Sequence, residues 1–269
     1  MKYKFDIDKI VNYLEKHKSN LSTLYTWKVN FEKLVDFDAI TQEQLTILED
    51  LNIYEKGIEL KRIVGKKLNE SRSENPELFD ALSLWIIKDW GGISSAKDID
   101  TKELIKDFIN DTFPSFNRIA SASKVRAFLE PEKYAIYDSR VIFSLNWILL
   151  SENASEFFFP SPEGRNSKMS AMDLNVLIRL KNIHHYKTKS LNELCDKLFI
   201  HKSDKKIYIP KNNAYSEFNK LMKKVNCELW KDDNEKKEKL YYTEMLLFSI
   251  ADREIFMDIT QKSTLTFDM

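Results

Sequence analysis

Very little in this chain can stop a helix: only five glycines and six prolines interrupt 269 residues, and both residue types are the main breakers of helical periodicity. With 43% apolar and 31% charged residues, the chain has material for a large core and for the polar faces of amphipathic helices. A Gly-rich barrel and a Gly-rich phosphate loop are both excluded by that scarcity. The expected class is all-α, a single unit spanning residues 1–269.

Local signals divide the chain. Asp6 caps a helix over residues 7–17 that turns Ile7, Ile10, Val11 and Leu14 inward. Thr41-x-x-Gln44 reads as a capping box before Leu45, Leu48 and Leu51. Tyr25, Trp27 and Phe31 lie between these helices and are expected against the core. Residues 77–90 are apolar on more than one face and predict a buried central helix ended by Gly91-Gly92. Thr101 opens a further helix with Leu104, Ile105 and Phe108, and Pro114 breaks the chain after it.

Downstream, the pattern predicts a helix near residues 115–129, a turn at Pro131, an extended piece from Tyr134 to Tyr137, and a helix from Ser139 to Leu150. Phe157-Phe-Phe-Pro160-Ser-Pro162-Glu-Gly164 is an irregular apolar loop. Asp173 and Ser190 open helices, the latter carrying Leu191, Leu194 and Leu198 inward, and Lys206–Pro210 reads as a short edge strand. Tyr215–Trp230 and the segment from Thr243 are helical again, separated by the charged run 231–239.

Charge excludes a strongly basic nucleic-acid module, because 42 basic residues balance 42 acidic ones. The distribution is uneven. Seven lysines stand between Lys181 and Lys206 against three acids, whereas Glu32–Leu51 holds six acids and one lysine. Cys195 and Cys227 are too few for a zinc or iron–sulfur site and read as reduced, small apolar residues. His184, His185 and His201 lack carboxylates at ligand spacing, so no metal and no other cofactor is expected. No apolar run resembles a secretion signal or a membrane span, and the expected setting is cytoplasmic.

Chemistry concentrates in Phe113-Pro-Ser-Phe-Asn-Arg118-Ile-Ala-Ser121-Ala-Ser123-Lys124-Val-Arg126 and the downstream Tyr134-Ala-Ile-Tyr137-Asp138-Ser-Arg140. Asp138 precedes an amphipathic helix, where aspartate is a common N-cap. Capping and catalysis are compatible, since a carboxylate at a helix mouth is held ionised and faces developing positive charge. Lys124 can pair with it, grip phosphate, or be a solvated helix lysine.

This order of parts, with Lys124-Val125 after a hairpin and Asp138 opening the next helix, resembles the helix-hairpin-helix DNA glycosylase superfamily, the 8-oxoguanine-glycosylase-like fold. The resemblance implies two helical lobes with a cleft between them, residues 80–150 carrying the hairpin and the site, and DNA as partner of a monomer. It implies Asp138 and Lys124 as catalytic residues, Arg118, Ser121, Ser123, Arg126 and Arg140 on the DNA backbone, and Trp85, Trp90, Tyr134 and Tyr137 around a flipped base. The stretch Ile119–Ser123 lacks the glycines usual in such a hairpin, and the interval from Lys124 to Asp138 is short, which favours a monofunctional enzyme using Asp138 and water. The sequence is also similar to a phage-defence subset, the bacteriophage replication inhibition DNA glycosylases, which act on a modified cytosine. A non-catalytic helical DNA-binding protein, or a protein-interaction module with Asp138 as a cap only, fits the same residues.

Overall fold

The computed structural model describes residues 2–28, 30–94, 96–110, 115–162, 167–188 and 190–262. Among these residues the fold is all-helical, and its single β contact is an isolated parallel bridge between Phe158 and Tyr208. The expected strand at Lys206–Pro210 is therefore one bridge, flanked by Phe158 N–H donating to Ile207 O and Ile209 N–H donating to Phe158 O. No described helix is long and apolar enough to cross a membrane. The expected break at Pro114 and the end of the 157–164 loop lie outside the described residues.

Helices of eight residues or more are α1 (Ile7–Lys18), α2 (Gln42–Glu49), α3 (Ile53–Glu74), α4 (Pro76–Trp85), α5 (Asp98–Asn110), α6 (Ile119–Leu129), α7 (Ser139–Ser151), α8 (Leu174–Lys181), α9 (Lys211–Leu229), α10 (Tyr241–Ile250) and α11 (Glu254–Lys262). Asp6 accepts from Lys9 N–H to start α1, and the Thr41–Gln44 box starts α2 with both reciprocal bonds made. The longest helix, α3, is not among the expected elements; a second box, Asn52 with Glu55, starts it and Leu60, Val64 and Leu68 form its buried stripe.

Two boundaries differ from expectation for identifiable reasons. Helix α4 runs into a π-helical turn at Ile86–Trp90 before Gly91, and Gly92 takes the left-handed φ of 67° that glycine alone adopts without cost. Helix α6 begins at Ile119 rather than near 115 because Arg118 sits in the left-handed region at φ 52°. The expected helix from Thr243 is α10, and α11 follows it as a further element. The inward placement expected for Leu191, Leu194 and Leu198 is also overturned: they lie in single-turn or irregular backbone and are exposed.

Buried apolar side chains form two clusters. One joins α1, α7, α9 and α10, with Leu14, Ile148, Phe218 and Leu246 at its centre. The other joins α2, α3, α4 and the second half of α6, with Leu60, Val64, Leu82 and Phe128. Helix α6 straddles both, placing Ile119 and Ala122 in the first cluster and Val125, Phe128 and Leu129 in the second.

The extended piece 134–138 straddles them too. Successive side chains of extended backbone point to opposite sides, so Ala135 and Tyr137 enter the first cluster while Ile136 enters the second. Asp138 then stands two residues beyond Ile136, at the seam where the clusters meet.

Candidate active site

Asp138 is the N-cap of α7, with extended φ/ψ of −97° and 156°, and its Oδ1 accepts from Arg140 N–H at 2.8 Å. Its Oδ2 lies 3.7 Å from the Lys124 ammonium. That separation is an ion pair beyond hydrogen-bond range. Lys124 projects from the second turn of α6 and donates to Ala120 O at 2.8 Å. Only 7% of the lysine side chain and 20% of the aspartate side chain are exposed.

Gly91 makes the room for this lysine. A Cβ there would stand 2.8 Å from Lys124 Cε and 2.7–2.8 Å from the carbonyl oxygens of Ile87 and Ile86. The π turn and its glycine therefore form one wall of the site, and any side chain at 91 would collide with Lys124.

The pair lines a small pocket of about 50 Å³, walled by Tyr25, Trp27, Trp90 and Phe248. Trp27 Nε1 donates to Trp90 O at 2.9 Å, which ties the N-terminal segment to the π turn across the pocket. The Trp90 indole N–H is buried with no acceptor among the described residues. Such a donor costs about 1–3 kcal/mol of desolvation.

A second ion pair lies against the same pocket. Glu244, on α10, accepts from Ile136 N–H at 2.9 Å and from Lys61 of α3 at 3.3 Å, and both charged side chains are more than nine-tenths buried. Burial pushes the Glu244 carboxyl above the ordinary glutamate value and the Lys61 ammonium below the ordinary lysine value, each shift opposed by the partner's charge. Aromatic faces steady the ammonium further: Lys61 Nζ is 4.9 Å from the ring centroid of Trp90 and 5.1 Å from that of Phe128. Glu244 lines the pocket beside Lys124 and Asp138.

Trp27, Gly91, Asp138 and Phe248 also line a much larger groove that adjoins the pocket. Arg118, Arg140 and Lys211 bring three cations to it. Arg118 donates to Thr101 Oγ1 at 2.9 Å. Arg140 pairs with Asp252 at 2.9 Å and lies 4.8 Å from the Phe248 ring centroid. Lys211 lies 5.4 Å from the Phe116 ring centroid.

Of the residues expected at the site, Asp138, Lys124, Arg118, Ser121, Arg140 and Trp90 line the pocket or the groove. The others do not. Ser123 is fully buried and its hydroxyl accepts from Tyr137 N–H at 3.0 Å, so it braces the extended piece and offers nothing to a phosphate. Arg126 is buried on the far side of α6, donating to Phe108 O and to the Tyr134 hydroxyl. Trp85 belongs to the second core cluster, and Tyr137 to the first, where its hydroxyl donates to Pro160 O. Tyr134 stacks on Tyr215 beside Arg126.

Trp27, Glu244 and Phe248, outside residues 80–150, reach the pocket from both ends of the chain. Cys195, expected to be buried, is exposed, and Cys227 is half-buried. The signal for Glu244 was present in the sequence as a lone acid within the apolar run Tyr241–Ile250, since a buried polar residue carries more information than an exposed apolar one. Lys61 had a comparable signal, standing four residues from Gly57 and four from Gly65 on a buried stripe.

No protein-family model, curated protein or solved structure matches the chain.

Proposed function

We propose that the chain is a monofunctional DNA glycosylase that hydrolyses the N-glycosidic bond of a base turned out of the duplex. The observation that carries this reading is the Lys124–Asp138 pair in an aromatic-walled pocket adjoining a groove that bears Arg118, Arg140 and Lys211. The groove cations suit a phosphate backbone. The pocket walls suit the faces of an extruded base, whose unstacking must be recovered by stacking within the protein.

The chemistry follows from the position of Asp138. As the C1′–N bond breaks, its electron pair leaves with the base and positive charge develops on the sugar. A fixed carboxylate facing that charge stabilises it without reorganising. Water then attacks C1′, and its proton passes to the carboxylate acting as general base. A lysine ammonium has no lone pair for attack on the sugar, so Lys124 serves as a positioning charge for Asp138 and for the neighbouring phosphate.

Ile119–Ser123, expected as the hairpin, form the start of helix α6, and one further observation supports the resemblance to the helix-hairpin-helix glycosylases. The apolar core divides into two clusters with Asp138 at their seam, as expected for two lobes flanking a cleft.

The test is incubation of the purified chain with a panel of duplexes carrying single modified bases, followed by mass spectrometry of released bases. Free base together with an uncut abasic strand is expected from at least one duplex. Release from none of them, or a strand cut that borohydride traps as a lysine adduct, overturns the monofunctional reading.

A further inference from the structure

The pocket holds a feature that the hydrolytic step does not use. Asp138 and Lys124 suffice for the sugar, yet Glu244 brings a second carboxylate to the same space. Its two oxygens each accept one internal bond, Oε2 from Ile136 N–H and Oε1 from Lys61. A carboxylate offers about four lone-pair directions. Two acceptor positions are therefore unspent, on a side chain that is 5% exposed and lines the pocket.

Placing an acid there is costly, and Lys61, with Trp90 and Phe128 around it, supplies its counter-charge. The bond from Ile136 N–H fixes the carboxylate to the same extended piece that presents Asp138. The distance between the reading group and the reacting sugar is thereby set by two residues of backbone. An ionic pair maintained in a core at this expense is more readily explained by recognition than by stability, because apolar residues of equal volume hold a core as well or better.

We infer that Glu244 reads the edge of the extruded base, and that the pocket selects bases carrying an exocyclic amino group over bases whose edge is keto only. The inference rests on the glycosylase reading above. An amino group donates to a carboxylate, the pairing that acidic side chains make with cytosine N4. A uracil or hypoxanthine carbonyl would instead meet the carboxylate oxygen to oxygen, a repulsion that rejects the wrong base as well as a contact accepts the right one. Lys61 acts through Glu244 and is a positioning residue; its charge opposes the upward push of burial on the carboxyl.

The experiment uses the full chain in the Asp138→Asn background, where chemistry is suppressed and binding is read directly. Equilibrium affinities are compared for duplexes with one mispaired cytosine or uracil of identical 5-substituent, and for an adenine and hypoxanthine pair. Preference for the amino base by about tenfold or more is expected. Glu244→Gln, which keeps an acceptor for Ile136 N–H but presents an amide to the pocket, should abolish or invert that preference. Equal affinity for amino and keto bases in Asp138→Asn overturns the inference even if Glu244→Gln fails to fold. An unchanged preference in folded Asp138→Asn/Glu244→Gln overturns it as well.

The two readings fail separately. Base release by the unmutated chain with no amino preference leaves the glycosylase and removes the role of Glu244. An amino preference that depends on Glu244, without release of any base, removes the glycosylase and leaves a base-reading pocket.

Discussion

Substituting Lys61 by methionine tests whether the buried pair is organised as described. The methionine fills most of the lysine stem and keeps contact with Trp90 and Phe128, so the change removes charge more than volume. Glu244 would retain the Ile136 N–H bond but lose its counter-ion, at a site where both side chains are almost completely buried. Removing one partner of such a pair costs about 3–5 kcal/mol. At roughly 2 °C per kcal/mol for a chain of this length, Tm should fall by about 6–10 °C.

The pH dependence has a definite sign. The folded-state value of Glu244 already lies above the ordinary glutamate value, and loss of Lys61 removes the charge that holds it down. The folded state then binds a proton more tightly than the unfolded state, so stability falls as pH rises from the unfolded value through the folded one. The deficit of Lys61→Met should therefore shrink between about pH 7 and pH 5. Circular-dichroism melts at both pH values give the readout, with Lys61→Met/Glu244→Gln as control, which removes the unpaired charge, keeps an acceptor for Ile136 N–H and should regain most of the loss. A deficit under about 1 kcal/mol at neutral pH, or one that grows on acidification, refutes the buried-pair argument.

Four further outcomes follow from the contacts. Gly91→Ala should destabilise by about 1–3 kcal/mol, because its Cβ would sit 2.8 Å from Lys124 Cε; denaturant titration measures this, and a neutral result contradicts the close approach. Ser123→Ala leaves Tyr137 N–H buried without its acceptor and should cost about 1–3 kcal/mol in the same assay. Arg118→Ala and Lys211→Ala should each lower the slope of log affinity for duplex DNA against log salt by about one, whereas Arg126→Met should lower stability and leave that slope unchanged. Asp138→Ala should lose about 1 kcal/mol of capping energy, and Asp138→Asn, which keeps an acceptor oxygen for Arg140 N–H, should lose less.

Much of the architecture was readable from short-range chemistry. Thr41 with Gln44, Asp6 and Asp138 announce helix starts because a cap is satisfied within three residues of itself. The site was only partly readable because its halves are far apart in the chain: Lys61 and Glu244 are separated by 183 residues, and Trp27 meets Trp90 across 63. No local pattern encodes such pairings.

Helix α6 shows a different limit. Every residue from Ser121 to Leu129 is buried, so the helix has no polar face from which to infer which side meets solvent. Arg126 and Lys124, two residues apart, were both expected to face DNA, and the fold sends one to Phe108 O and the other to Asp138. Tyr137 was misplaced for a simpler reason. Alternation along extended backbone turns it away from the side that Ile136 and Asp138 share.

The most direct measurement is single-turnover base release by Asp138→Asn beside the unmutated chain, on whichever modified duplex the latter processes, with equilibrium DNA affinity measured for both. The substituted chain should bind duplex within a few-fold of the original and release base at least about 100-fold more slowly. Release at an undiminished rate by the folded Asn variant would contradict the assignment of the sugar-stabilising charge to Asp138.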